Sequence, residues 1–239
     1  MDGNQRLAET FVELADTLVE SFDTVDFMQL LTDRCVELLA ADAAGVLMAD
    51  PGGVLRWTAL TPQRGRLLEL FEIEVDEGPC RDCFVSRRPL PNVDLDAAHD
   101  RWPAFAPAAV QAGFAVAHVV PMRLRGQVIG ALSVFTDERT TWAQDRLAVA
   151  QAMADVATIG LLQQRSLDEQ TRLAAQLQSA LTSRVLIEQA KGALAARAGI
   201  TVAEAFTRMR THARATGLTL TAVATAVVNG SLDRLRLGL

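Results

Sequence analysis

The stretch Arg184-Val-Leu-Ile-Glu-Gln-Ala-Lys-Gly192 reads as part of a helix with two distinct sides. Ile187, Ala190 and Leu194 recur at i, i+3 and i+7 and mark a buried stripe. Arg184, Glu188 and Lys191 recur at i, i+4 and i+7 and are expected on the opposite face. Gly192 falls mid-helix beside that polar face, where glycine costs about 1 kcal/mol relative to alanine. Close helix packing or the close approach of a ligand backbone should compensate that cost. Gly199 is placed to end the helix. Thr201-Val-Ala-Glu204 has the form of a capping box and starts a second helix. Its expected buried stripe is Val202, Phe206, Met209 and Ala213, with Arg210 and Arg214 along one edge. Gly217 ends that helix, and Thr219 can cap a third whose apolar side is Val223, Ala224, Val227 and Val228. Asn229-Gly230 stops it.

The charge of this region differs from the rest. From residue 175 onward Arg184, Lys191, Arg197, Arg208, Arg210, Arg214, Arg234 and Arg236 stand against Glu188, Glu204 and Asp233, eight against three, or +5. The whole chain is −6, so residues 1–174 carry −11. A small basic helical tail on an acidic body is the asymmetry of a nucleic-acid-binding output module. A solvated helical face is the plainer alternative.

Ser183-Arg184, Ile187-Glu-Gln-Ala-Lys-Gly192, Arg197, Glu204-Ala-Phe206 and Met209-Arg210 resemble the ANTAR domain. The resemblance implies a three-helix RNA-binding module of a transcription antitermination regulator. Such modules recognise paired stem-loops with six-base loops in leader RNA and so keep a competing terminator from forming. Unstacked loop bases are readable, whereas the deep major groove of an A-form helix is not. Carried onto this chain, the resemblance implies RNA-binding roles for Lys191, Gly192, Arg184, Gln189, Arg210 and Arg214. Arg208, off the Arg210–Arg214 edge, and Arg197, near the buried side of its helix, complete the candidate RNA-binding set, and Arg197 is equally a structural candidate. Lys191 is the only lysine in the chain.

The 239 residues, half of them apolar, are enough for one or two domains with a proper core. The start, Met1-Asp-Gly-Asn-Gln-Arg6, lacks the pattern of a secretory signal. No apolar run approaches the length of a membrane span. Three cysteines, Cys35, Cys80 and Cys83, do not form a disulfide framework. These features place the chain in the cytoplasm, with no membrane partner.

Leu7, Phe11, Leu14, Leu18 and Phe22 form a narrow stripe on an N-terminal helix, residues 1–26, that needs a partner. A second helix is expected over Phe27–Ala40. Strands are expected over Ala44–Ala49, Val54–Leu60, Leu90–Val93, Phe114–Met122 and Val128–Phe135, and helices over 63–71, Cys80–Ser86 and Trp102–Ala112. The order predicts an α+β domain with an antiparallel sheet and flanking helices. Glu77-Gly-Pro-Cys80, Asp94-Leu95, Pro121-Met-Arg-Leu-Arg-Gly126 and Ile129-Gly-Ala-Leu-Ser-Val-Phe135 resemble the GAF domains found ahead of ANTAR modules. That resemblance covers about residues 27–162 and implies a sensory sheet whose pocket takes a small-molecule ligand. The Asn-Lys-Phe-Asp-Glu signature of cyclic-nucleotide GAF domains is absent, which argues against that ligand.

From Thr141 the chain reads as one long helix. Leu147, Ala150, Ala154, Ala157 and Leu161 follow a heptad-like seam, which resumes after a register slip at Leu167, Ala174, Leu177 and Leu181. A coiled-coil-like linker over 163–180 would join the sensory domain to a C-terminal module over 181–239. Pairing explains such a narrow stripe, so a parallel homodimer is expected, with the N-terminal helix joining the bundle. Folding of the long helix back on its own sheet is the alternative.

Few residues invite chemistry. Cys80-Arg-Asp-Cys83 is a CxxC at a helix start, where the dipole lowers a thiol pKa. It reads as a redox or ligand site, or as packed thiols. A zinc site needs four ligands and no second CxxC exists, so neither a metal nor a cofactor is expected. His118 alternates with Phe114, Val116 and Val120 on one strand face, as a pocket residue or a core histidine. No phosphate loop, G-x-S-x-G or HExxH motif is present, and no catalytic residue is assigned. The reading is a non-enzymatic RNA-binding antitermination regulator. Its rivals are a GAF-fold thiol enzyme like methionine sulfoxide reductase and a protein-interaction scaffold.

Overall fold

Near-continuous buried apolar runs within Ala43–Ala49, Val116–Leu124 and Gln127–Thr136 build the centre of an antiparallel sheet covered on both faces. The computed structural model describes residues 3–18, 22–50, 52–61 and 76–231. The helix expected over 63–71, and Asp233, Arg234 and Arg236, lie outside the described residues. The chain divides into two compact units, Met1–Arg165 and Ser166–Leu239.

In the first unit, helices α1 (Gly3–Thr17) and α2 (Thr24–Leu39) precede strands β1 (Ala43–Ala49) and β2 (Leu55–Leu60). A short helix α3 (Pro79–Ser86), strand β3 (Leu90–Asp94), a 3-10 turn (Asp96–Ala98) and helix α4 (Phe105–Gln111) follow. Strands β4 (Val116–Leu124) and β5 (Gln127–Thr136) lead into helix α5 (Gln144–Ala198). The strand order is β2-β1-β5-β4-β3 and every pair is antiparallel. The long central strands β4 and β5 pair from Val116↔Thr136 to Leu124↔Gln127, with a bulge at Met122/Arg123. The hairpin is therefore tighter than the five-residue connection expected from sequence, and Arg125 takes a left-handed φ of 56° in it.

One face of the sheet packs against α1, α2 and the start of α5. Leu14, Phe27, Leu31, Cys35, Leu132, Met153, Ala154 and Ala157 are buried there together. Asp23 caps α2 by accepting from the Val25 and Asp26 amides. Arg34 holds α1 to α2 through Glu13, with Nε–Oε2 at 2.6 Å and Nη2–Oε1 at 2.8 Å. Gly160 of α5 is in close contact with Leu18, and a Cβ there would collide with that side chain. The other face carries Leu95, Trp102, Phe105, Phe114 and Phe135. There Glu77 accepts from the Ala104 and Phe105 amides at the start of α4, and Asp82 of α3 accepts from Trp102 Nε1 at 3.2 Å.

The first half of the expected helical seam thus lies inside the chain's own core: Ala150, Ala154, Ala157 and Leu161 are buried, as is Leu14 of α1. The second half is different. Leu167, Leu173, Leu177, Leu181 and Val185 are 50–60% exposed along α5.

In the second unit, α5 runs on without interruption to Ala198, 55 residues in all. Residues 163–191 contain neither glycine nor proline, so nothing separates linker from module. Helices α6 (Val202–Thr216) and α7 (Leu220–Val228) complete this unit. The capping box forms: Thr201 Oγ1 accepts from the Glu204 amide, and the Glu204 carboxylate accepts from the Thr201 amide. Gly199 and Gly217 take the left-handed φ values, 67° and 69°, that end their helices. Ala190, Leu194, Ala205, Met209, Ala213, Val223, Ala224 and Val227 form the core.

Candidate nucleic-acid interface

The inward line of α6 is Ala205–Met209–Ala213, not Val202–Phe206–Met209–Ala213. Val202 is 47% exposed. Phe206 is only half-buried, on the flank of that line. Its ring lies beneath two cations: Lys191 Nζ is 5.3 Å and Arg210 Cζ 6.0 Å from the centroid. Lys191 is therefore not opposite the buried stripe as its spacing predicts. It borders the stripe, with its side chain 18% exposed, and leans across α6. Both carboxylate oxygens of Glu188 accept from its ammonium at 2.8 Å.

Gly192 is exposed, and a Cβ built on it would meet nothing within 4 Å. Close helix packing is thus not the reason for a glycine there. Arg184, Gln189, Arg210 and Arg214 are exposed. Arg210 and Arg214, one turn apart on α6, extend the basic edge that begins at Lys191. Arg197 is differently engaged: its Nη1 donates to the Val227 carbonyl at 2.8 Å and so ties α5 to the end of α7. Arg208 is half-buried. The Thr201 backbone hydrogen bond holds the Glu204 carboxyl below its usual range, with Arg208 adding a smaller effect.

In the first unit, Cys80 and Cys83 sit on α3 with no exposed surface, packed among Leu47, Leu55, Val119 and Ala131. Burial pushes the Cys35 thiol pKa up. Among the described residues no three His, Cys, Asp or Glu side chains gather as metal ligands. His118 is 1% exposed. Its Nδ1 accepts from the Asn92 amide at 3.1 Å, and its ring stacks on Trp142. Its Nε2, like Trp142 Nε1, has no hydrogen-bond partner among the described residues. Asn92, at a left-handed φ of 54°, grips the Trp142 main chain twice: Oδ1 accepts from its amide at 2.7 Å and Nδ2 donates to its carbonyl at 3.3 Å. Arg146 covers the far side of Trp142 at 4.4 Å and donates to the Leu39 and Ala40 carbonyls at the end of α2. Sequence reasoning singled out His118 but not Asn92, Trp142 or Arg146. Their only local signal is the excess of Asn in left-handed positions.

Residues 23–161 match the GAF domain model and residues 175–228 the ANTAR domain model. The first match spans more than half of the chain, which belongs to the GAF domain family. A GAF sensory domain is followed by an ANTAR domain, and that domain implies RNA-binding antitermination regulation.

Solved structures share the fold. The free methionine-R-sulfoxide reductase of Neisseria meningitidis, in complex with its substrate, is 15% identical, with a TM-score of 0.54 over 70% of this chain and 95% of that one. The GAF domain of an Acinetobacter phosphoenolpyruvate-protein phosphotransferase is 12% identical, with a TM-score of 0.52 over 70% and 97%. The phycoerythrobilin-bound GAF domain of a cyanobacterial phytochrome is 15% identical, with a TM-score of 0.52 over 68% and 97%. A comparison with curated protein sequences finds no match. No described helix is long and apolar enough to cross a membrane.

Proposed function

We propose that this chain is a cytoplasmic, non-catalytic regulator that binds paired stem-loops with six-base loops in leader RNA and prevents terminator formation. The observation that carries the reading is the basic edge of the exposed Arg184, Arg210 and Arg214 and the part-buried Lys191, beside the open backbone at Gly192. Arginine and lysine there hold phosphates, and Gln189 and the backbone at Gly192 meet the loop. Arg208 contributes less, and Arg197 acts through the fold of the module. A small molecule sensed by the GAF domain biases the RNA-binding form by binding one arrangement better than another.

Two copies pair through Leu167, Leu173, Leu177, Leu181 and Val185, whose exposure on a polar helix is otherwise costly. A pair of modules engages a pair of loops, and linkage raises avidity when the spacing fits. The buried cysteine pair offers no surface to a sulfoxide substrate, so nothing favours the thiol-enzyme reading.

The test is binding of the full chain to an RNA with two six-base loops across a salt series, beside a scrambled-loop control. Specific binding that Lys191→Ala and Arg210→Ala variants lose while remaining folded supports the reading. Equal binding of both RNAs with a steep salt slope reduces the edge to non-specific electrostatics and sinks it.

A further inference from the structure

Phe206 is the only phenylalanine, tyrosine or tryptophan in residues 166–239. It would be ordinary as a core residue, yet the core line of α6 passes through Ala205, Met209 and Ala213 instead. The ring is left half-buried at the surface, with Lys191 of α5 and Arg210 of its own helix over it. Phenylalanine has no hydrogen-bonding group, so the ring offers only its face and edge. Cations resting over a surface aromatic ring are the elements of a single-stranded nucleic-acid seat, in which a base displaces them from the ring face and the charges move to the backbone.

Resting on the RNA-binding reading above, we propose that Phe206 is the stacking seat for one unpaired loop base, with Lys191 and Arg210 holding the phosphates on either side of it. A base removed from its own stack in a loop presents a π-face to such a ring. The contact tolerates any base and favours the larger purines, because area of overlap sets its strength. Glu188 regulates access. Its carboxylate occupies the Lys191 ammonium in the free protein, and RNA must exchange that carboxylate for a phosphate. The adjacent Gly192 leaves room for the ribose-phosphate chain to pass.

The experiment uses the full chain and the two-hexaloop RNA, with 2-aminopurine placed in turn at each loop position. Wild type quenches the fluorescence at one position and Phe206→Trp retains the quench. Phe206→Leu keeps the apolar volume, folds with unchanged helical circular dichroism, loses the quench and binds roughly 5- to 100-fold more weakly. Its salt slope equals that of wild type, because stacking releases no counterion. Lys191→Gln and Arg210→Gln each lower the slope by about one phosphate contact. Glu188→Gln tightens binding. If Phe206→Leu binds as wild type does while the Lys191 and Arg210 variants are impaired, the stacking seat is wrong and the RNA reading survives. Failure of wild type to distinguish this RNA from the scrambled control overturns both.

Discussion

The imidazole of His118 lies flat against the indole of Trp142, ring centroids 3.8 Å apart and planes 10° from parallel. Burial, and secondarily the charge of Arg146, push its pKa down from 6.5 to about 4. The fold therefore accepts the neutral ring. The unfolded chain takes up a proton near pH 6.5, so this contribution to stability is complete above that pH. It falls away as pH drops from 6.5 toward about 4. The difference amounts to about 3 kcal/mol over that window. Denaturant unfolding of the first unit at stepped pH should show it. A His118→Gln variant should lose most of the slope between pH 6.5 and 4 and leave only the carboxylates that titrate lower. An unchanged slope in that variant would remove His118 from the account.

Asn92 is the clamp that fixes this stack. Asn92→Gly keeps a residue at ease at a φ of 54° but deletes both side-chain bonds to the Trp142 main chain. The expected loss is about 1–3 kcal/mol, measured by chemical denaturation. Near-ultraviolet circular dichroism of the indole should weaken with it.

Gly192→Ala separates helix stability from recognition. Nothing in the folded chain opposes the methyl group, so the variant should be more stable by up to about 1 kcal/mol. RNA binding should weaken at the same time if the RNA backbone passes Gly192 as proposed. Thermal unfolding and RNA titration on the same sample check both signs. A variant that gains stability and binds equally well leaves the glycine without a recognition role.

Arg197 and Arg214 should divide cleanly. Arg197→Gln removes the bond to the Val227 carbonyl and should cost about 1–2 kcal/mol in module stability, without changing the salt slope of RNA binding. Arg214→Gln should leave stability within about 0.5 kcal/mol and lower the salt slope by about one.

Leu177→Ser with Leu181→Ser removes two exposed leucines from α5. Sedimentation should show a shift from dimer to monomer with the helical signal of each unit intact. A wild type that sediments as a monomer at micromolar concentration refutes the pairing.

The second unit was the more legible in sequence. Its helices are punctuated by Gly199, Thr201, Gly217 and Thr219, residues whose cap chemistry is local, and each cap forms as read. The inner line of α6 was misread by one position. Stripes through Val202 and Phe206 or through Ala205 share Met209 and Ala213, and side-chain size favours phenylalanine over alanine as the inward choice. Only the packing of α5 and α7 decides for Ala205. Likewise, half of the long helical seam belongs to the chain's own sheet, because a heptad-like stripe does not reveal which surface it meets. The stack around His118 was not readable beyond its histidine. It joins residues 26 and 50 positions apart, which only the sheet brings together.

The lysine that leans across Phe206 has a practical consequence. Of the twenty-three lysine and arginine residues in the chain, Lys191 alone carries a side-chain amine. Amine-directed reagents therefore address a single side chain, and it lies at the proposed point of RNA contact. Its protection by bound RNA gives an unmutated protein with a built-in reporter of occupancy, readable from the mass of the peptide that contains it.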